Sequence, residues 1–451
     1  MTFSWLACYL SALFGLEQRV SEGIALQTLS RFLKVLGPGL LYAGAAIGVS
    51  HIVQSTRAGA SYGFQLVWVV IIANLLKYPF FELGPRFAAV TGKSLLEGYE
   101  SLGRWALPLF LLMTIASMFI TIAAITLVTA GIAQSVLGLP YSTVLWCFVT
   151  LSVGVLILLS GRYAVLDRIT KLVVLLLSVT TLTAVFLVLS KQSHLNFNHH
   201  NSFAFHNKDD LFFLLAFMGW MPAPIEISVW HSLWTLENKK LKKSKIPLKE
   251  VLTDFNIGFW GTIVLALAFV CLGACLMYQS GLRFSAQAIP FSEQFISLYT
   301  KSIGAWTYPI VAFSALATMV STMLTCLDAY PRVTANALSL CLGQWVERQH
   351  SRSSSLLLTY HFWMGVIVLG SGFILLFLAN NMKALVDFAT FIAFLFAPIL
   401  AGMNLLCARK HQQKWKELAR PFWLRALSHV GMVYLVGFSL YFILIQFISL
   451  K

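Results

Sequence analysis

The feature that most limits what this chain can fold into is a succession of apolar segments, each almost free of charge and close to the length that crosses a bilayer. Leu66 to Leu76 and Leu172 to Leu189 are two of them, and about 20 such residues in a helix suffice to cross the hydrocarbon core. Similar segments recur along the chain, with approximate bounds 36–55, 63–84, 106–136, 142–160, 172–190, 211–234, 252–279, 303–330, 356–379, 384–407 and 422–449. Of 451 residues, 58% are hydrophobic and only 11% charged, whereas a soluble domain carries roughly 25% charged residues. A water-soluble surface cannot be built from that composition. The expectation is therefore an all-α, polytopic membrane protein with about 11 spans.

A formal charge of +15 would suggest nucleic acid for a soluble domain, but here the question is which side of the membrane the charges occupy. With the N-terminus in the cytoplasm, 24 of the 32 Lys and Arg residues fall on the inner side. Seven fall outside, namely Arg57, Lys191, Lys208, Arg283, Lys301, Lys383 and Lys451, and Lys77 lies inside a span. This bias places the N-terminus inside and the C-terminus outside a bacterial-type plasma (inner) membrane. Met1 to Leu16 is apolar enough for a signal core, yet it lacks a basic start and a small-residue cleavage site, so it reads as an interfacial or misassigned start. Seven cysteines is an odd number, and Cys147, Cys271, Cys275 and Cys326 lie within spans, where ordinary packing is the expected role.

Two hydrophilic stretches stand out. The lysine run from Glu237 to Glu250 suits a topology anchor, with anionic lipid headgroups as a second reading. The outer stretch Lys191 to Asp210 carries His194, His199, His200 and His206 and reads as a solvated loop with a weak capacity to gather divalent cations. Neither is long enough to be a domain.

Two spans differ from the rest because glycine and proline interrupt them. Span 1 reads Gly37-Pro-Gly-Leu-Leu-Tyr-Ala-Gly-Ala-Ala-Ile-Gly-Val-Ser-His51, and span 6 reads Phe217-Met-Gly-Trp-Met-Pro-Ala-Pro-Ile-Glu-Ile-Ser-Val-Trp-His231. Irregular backbone at membrane depth is tolerated only where protein or a wet cavity surrounds it, since an unpaired peptide group in lipid costs several kcal/mol. Paired breaks therefore mark a binding site. Five spans separate them, and an odd-numbered repeat is inverted in the membrane, which sets the two breaks face to face near the midplane. The expected organisation is a segment 1–35, a first five-helix repeat 36–190, an external loop 191–210, a second repeat 211–407, and a loop with one extra helix, 408–451.

At these residues the chain resembles the NRAMP family of proton-coupled divalent metal transporters. Gly37-Pro38-Gly39, Arg57-Ala-Gly-Ala-Ser-Tyr-Gly63, Thr91-Gly92-Lys93, Gly161-Arg162-Tyr163 and His231-Ser232 carry the resemblance over about the first 240 residues. It implies the inverted, broken-helix architecture termed LeuT-like and alternating access at a site between spans 1 and 6. The chemistry departs from the family. Where the family has Asp-Pro-Gly-Asn in span 1, this chain has Gly48-Val49-Ser50-His51, so the metal carboxylate is missing and His51 stands in the Asn position. The family's Met-Pro-His in span 6 meets either Met221-Pro222-Ala223 by letters or Pro224 and Glu226 by counting back from His231. Both registers stay open. The acidic pair used on span 3 for proton movement is replaced by Thr121-Ile-Ala-Ala-Ile-Thr126.

Few ionisable residues lie within the spans, and each costs about 2.5 to 3.5 kcal/mol at a bilayer centre, so each should face protein or water. The main ones are His51, Lys77, Glu82, Glu226, His231, Asp328 and Arg332. Glu226 is the candidate to replace the lost carboxylate, with structural pairing to Arg57 or His231 as the other reading. The expected substrate-binding set is Gly48, Ser50, His51, Met221, Ala223 and Glu226, of which His51, Glu226 and Met221 would touch a metal ion. Arg57, His231, Asp328 and Arg332 are assigned to gating or proton movement, although Asp328 and Arg332, four apart on one face, also suit a local ion pair. Glu82 with Arg86, and Asp167 with Arg168 and Arg162, lie at inner helix ends where salt bridges that break during transport are expected.

The sequence thus points to a secondary transporter of a divalent cation (Mn, Fe or Zn-like). Two rivals remain: the same architecture moving hydrated Mg, an amino acid or an organic cation, and a sensor that does not transport. No resident cofactor is expected, since the cation is cargo. The partners are that ion or another small solute and the lipid bilayer, not nucleic acid, and a monomer is the simplest assembly. An intramembrane enzyme is not indicated: there is no His-Glu-x-x-His, Gly-x-Ser-x-Gly, haem or nucleotide motif, which leaves ion gradients as the energy source.

Overall fold

Lipid offers no hydrogen bonds, so a spanning backbone must satisfy its own, and the apolar segments do so as helices. The computed structural model describes residues 37–160, 163–191, 203–242, 246–278, 283–346 and 359–448. The segment 1–35, Arg162, His194, His199, His200, Lys243 and Lys245 and the side chains of Asp167, Arg168 and Lys242 lie outside the described residues.

Span 1 is split into α1 (Pro38–Ala46), a wide π-helical turn (Val49–Ser55) and α2 (Thr56–Tyr62). There follow α3 (Val67–Thr91), α4 (Leu95–Leu102), α5 (Ala106–Leu137), α6 (Thr143–Leu159) and α7 (Tyr163–Lys191). Span 6 is split into α8 (Lys208–Gly219) and α9 (Ile227–Lys242). The remainder is α10 (Leu248–Leu276), α11 (Ala288–Ser302), α12 (Tyr308–Val346), α13 (Tyr360–Leu378), α14 (Met382–Gln412) and α15 (Phe422–Ile448). Seven of these helices are long and apolar enough to cross a membrane by themselves. The shorter apolar helix α6, the apolar part of α7 (Val174–Ser190) and the two split spans complete eleven crossings among the described residues.

Packing follows the inverted repeat. Span 1 lies on α10 as span 6 lies on α3, and α7 runs beside α12 as α14 runs beside α5. Helix α5 sits at the centre, whereas α13 and α15 turn apolar side chains outward, with Leu369 76% and Val433 72% exposed. Those faces need no protein partner because lipid is as apolar as they are.

Connections gather at two ends. At one, Phe203 N–H bonds Gln65 Oε1 and Lys383 N–H bonds Ala286 O; a wide cavity opens there, and we term it the vestibule end. At the other, the basic end, Lys239 Nζ donates to carbonyls in the last turn of α3 at Ala88 and Ala89, and Lys410 does the same for Ser101 in the last turn of α4. Cations at helix C-termini answer the helix dipole there.

The Gly37-Pro-Gly motif has a direct cause. Asp254 of α10 accepts the Gly39 N–H at 2.8 Å and so caps α1, and any Cβ on residue 39 would enter the Asp254 backbone. The motif buys close approach of two helices, as small residues do inside membranes.

Two expectations on extent change. Span 1 continues to Tyr62 instead of ending near residue 55, and α4 and α11 are additional helices outside the eleven crossings. Long apolar runs do not reveal α4 and α11 because both are short and amphipathic. Arg57, counted among the outer-side charges, is buried in α2.

Candidate functional site

The two interruptions meet. After Ala46 the backbone leaves the α-helix, with Gly48 at φ −135°, ψ −122°, before the π-helical turn begins. In span 6 the segment Trp220–Glu226 separates α8 from α9. Between them lies a void of about 20 Å³, lined from span 1 by Ala46, Val49 and Ser50 and from span 6 by Pro222, Ala223 and Pro224. Thr121 of α5 and Thr322 and Cys326 of α12 close its walls. That is room for about one water or one bare ion.

Ser50 joins the two breaks. Its hydroxyl bonds the Ala46 carbonyl at 2.6 Å and reaches the Pro222 carbonyl at 3.3 Å. Thr322 Oγ1 donates to Gly44 O at 2.9 Å, taking a carbonyl released by the break, and sits so close to Gly48 that a Cβ there would strike it. Gly48 is thus required by α12 and offers no side-chain ligand.

His51 is fully buried and faces away from the void. Its Nε2 lies 2.9 Å from Thr262 O on α10 and its Nδ1 2.7 Å from Ser50 Oγ. A carbonyl can only accept, so Nε2 carries a proton, and Nδ1 is turned to the Ser50 hydroxyl instead of into the void. Met221 is buried outside the void's lining. Of the proposed metal-touching set, the structure brings neither His51 nor Met221 to the void.

Glu226 lies just beyond the lining, toward the basic end. Tyr330 of α12 donates to its Oε1 at 2.5 Å, and Ser117 of α5 also bonds the carboxylate. The expected pairing with Arg57 or His231 is thereby corrected: two neutral hydroxyls hold Glu226. His231 instead sits among Tyr42, Trp234 and Phe255, at 5.5 to 6.2 Å between ring centroids. Neither of its ring nitrogens has a hydrogen-bond partner among the described residues.

Arg57 finds its partner on α14. It makes a two-pronged ion pair with Asp387, at 2.7 and 2.9 Å, and its Nη1 also donates to Gln54 Oε1 at 3.0 Å. Gln54 Nε2 in turn donates to Asp387 Oδ1 and Thr390 Oγ1. The Phe213 ring lies under the guanidinium at 5.2 Å. This clasp between span 1 and span 10 forms the floor of the vestibule, a cavity of about 970 Å³ that also takes in Asp209, Asp210, Arg283 and Lys383. Three acidic and three basic side chains line it, so it does not select cations by net charge. Arg57 and Asp387 line the vestibule, and neither lines the void.

The break in span 6 is held from another side. Lys77 of α3, fully buried, donates to Met218 O at 2.5 Å and Gly219 O at 2.9 Å, the terminal carbonyls of α8. Asp328 and Arg332 lie apart from all this, paired at 2.6 Å with Tyr360 bonding Asp328 from α13, and Arg332 is half exposed. They do not join the void. Arg86 pairs with Glu82 at 2.6 Å and reaches Glu417 O. Cys271 and Cys275 are 3.9 Å apart, and among the described residues no group of three or more His, Cys, Asp or Glu could hold a metal ion.

Asp387, Gln54, Tyr330 and Asp254 escaped the sequence reading. Asp387 carried a usable signal, being a lone carboxylate within an apolar span. Tyr330 carried none, since a tyrosine in a span is ordinary.

Two interrupted helices that face each other within an inverted repeat, with a gated vestibule above them, define a membrane transporter of the LeuT-like class. The structure superposes on the manganese transporter of Eremococcus coleocola with a TM-score of 0.64, at 14% identity, over 95% of this chain and 88% of that one. The chain belongs to the Nramp family: the description "Natural resistance-associated macrophage protein-like" matches residues 39–445. An uncharacterised protein of Pasteurella multocida is 34% identical, over 95% of this chain and 96% of its own length. A divalent metal cation transporter, MntH, of Staphylococcus aureus is 24% identical, over 72% of this chain and 73% of its own.

Proposed function

We propose that this protein is a secondary transporter of divalent cations that works by alternating access at the void between the breaks. The observation that carries the reading is the meeting of the two interrupted helices through Ser50 and Pro222 around that void. The ion class is supported by the related proteins, a divalent metal cation transporter and a manganese transporter.

In this chain the ion would meet oxygen. Ser50, Thr121, Thr322 and Pro222 line the void, Ser50 reaching the Pro222 carbonyl, and Glu226, bonded by Tyr330, lies next to the lining residue Ile227. When Tyr330 releases it, Glu226 supplies the negative charge that span 1 lacks. A carboxylate with hydroxyl and carbonyl donors suits Mn or Mg better than softer ions. The absence of a charged lining favours a second reading in the same class, a cation that keeps part of its water, since small hard ions dehydrate reluctantly.

Loading starts from the vestibule, taken here as the external side on the charge bias. Opening requires α2 and α14 to part, with the loss of the Arg57–Asp387 clasp. Closing that clasp over the ion precedes release at the basic end. With no acidic pair on span 3, Glu226 is the group we assign to any accompanying proton.

Uptake of Mn and of Mg into proteoliposomes, followed with an enclosed fluorescent indicator, tests this. Glu226→Gln should reduce uptake by at least about tenfold, the scale of one lost charged hydrogen-bonding ligand, while Tyr330→Phe should retain uptake with altered affinity. Full transport by Glu226→Gln would move the ion site elsewhere, and no uptake of either ion by the wild type, with binding intact, would point to the sensor reading.

A further inference from the structure

At the basic end, α14 turns back into α15 through residues 413–421, and the turn encloses a second cavity of about 200 Å³. Arg409 and Gln412 reach it from α14, Arg420 from the turn, and Arg425, Ser428 and His429 from α15. Leu405 and Leu418 form an apolar floor. No acidic side chain lines it.

Like charges do not gather in a concavity without cause. Arg409 and Arg425 make no salt bridge among the described residues. Arg420 is anchored by one bond, Nη1 to Pro79 O at 3.2 Å, which leaves most of a five-donor guanidinium for other acceptors. Burial lowers its pKa to about 10, with Glu82 opposing and Arg86, Arg409 and Arg425 adding to the fall. It is therefore still charged at neutral pH, with three further guanidinium groups close enough to oppose that charge. Glu82 offsets part of it from outside the cavity but pairs with Arg86 at 2.6 Å, and Glu417 is exposed and outside the lining. A plain topology anchor would need basic side chains splayed toward headgroups; these converge on one space.

The surroundings name the depth. Phe422 and Trp423, 77% and 58% exposed, open α15 beside the cavity, as aromatic residues do at the membrane–water boundary. From there Val430, Val433 and Leu440 run outward along α15 as a lipid-facing stripe. A planar guanidinium fork matches phosphate oxygens in pairs.

We propose that this cavity is a binding site for the headgroup of an anionic phospholipid, its phosphate held by Arg409, Arg420 and Arg425 and its acyl chains lying along the exposed face of α15. Basic recesses between spanning helices recognise such headgroups by this chemistry. The site is separate from the void and from the vestibule and does not depend on what the protein transports.

The test is retention of phosphatidylglycerol against phosphatidylcholine by the purified, full-length protein, counted by native mass spectrometry after mild delipidation. Arg409→Gln/Arg425→Gln should weaken phosphatidylglycerol retention by about 30-fold, the loss of two direct hydrogen-bonded contacts to the phosphate, and leave phosphatidylcholine unchanged. Lys414→Gln/Lys416→Gln removes the same charge outside the cavity and should change retention by less than about twofold, within the scatter of exposed charge effects. Equal losses in the two double variants would reduce the effect to diffuse attraction and overturn the site. Inorganic phosphate forms the second arm. Displacement of bound phosphatidylglycerol by phosphate supports recognition through the phosphate group. Stabilisation by phosphate with identical lipid retention in wild type and Arg variant assigns the cavity to a soluble anion and overturns the lipid proposal.

Discussion

Arg57 and Asp387 show how a single residue pair can be read from sequence in part. Both are charged positions in or beside apolar runs, and such charges must find partners; which partner is a matter of the fold, since 330 positions separate them. Removing one member leaves the other charged and buried, so Asp387→Asn should lower stability by about 3–5 kcal/mol, and the double variant Arg57→Gln/Asp387→Asn should recover much of that loss. Thermal unfolding of the purified protein in detergent checks both. A single variant as stable as the wild type would mean that the clasp is open in solution. His51 is the converse case: its residue type suggested a ligand, and only the positions of Thr262 and Ser50 reveal that both nitrogens are engaged.

Among the elements, the two split spans were legible because glycine and proline clusters cannot continue a helix, and their spacing of five spans implied that they face each other. What holds them apart from collapse was not legible. Helix α8 ends in the membrane on the Met218 and Gly219 carbonyls, both of which accept from Lys77, while Met218 O also accepts from the Trp220 and Met221 N–H groups; the arrangement combines charge–dipole attraction with the need to pair buried acceptors. Lys77→Met should therefore destabilise the end of α8 by roughly 2 kcal/mol, the upper range for a partly buried cation at a helix C-terminus. Amide exchange over residues 214–221 should then accelerate by about 30-fold, with α13 and α15 unaffected. Uniform exchange in the variant and the wild type would show that the cap contributes nothing. The register of span 6 belongs to the same scale: Pro222 to Pro224 line the void and Met221 does not, because the irregular turn, not the letter pattern, decides which side chain faces inward.

For the whole molecule, the charge bias predicts that the vestibule faces outward. A cysteine placed by Arg283→Cys should react with an impermeant maleimide in intact cells, and one placed by Lys416→Cys should react only after permeabilisation; the reverse pattern would invert the proposed direction of loading. Solvent chemistry settled the helical, many-spanned architecture from sequence, since an uncharged stretch of sufficient length has no other stable form in lipid. The inverted repeat followed from where the helix breakers fall. The gate, the neighbours of Glu226 and the arginine cavity at the basic end came only with tertiary structure. Each is made by side chains from helices distant in the chain, and an apolar helix carries no local mark of which of its faces meets a partner and which meets lipid.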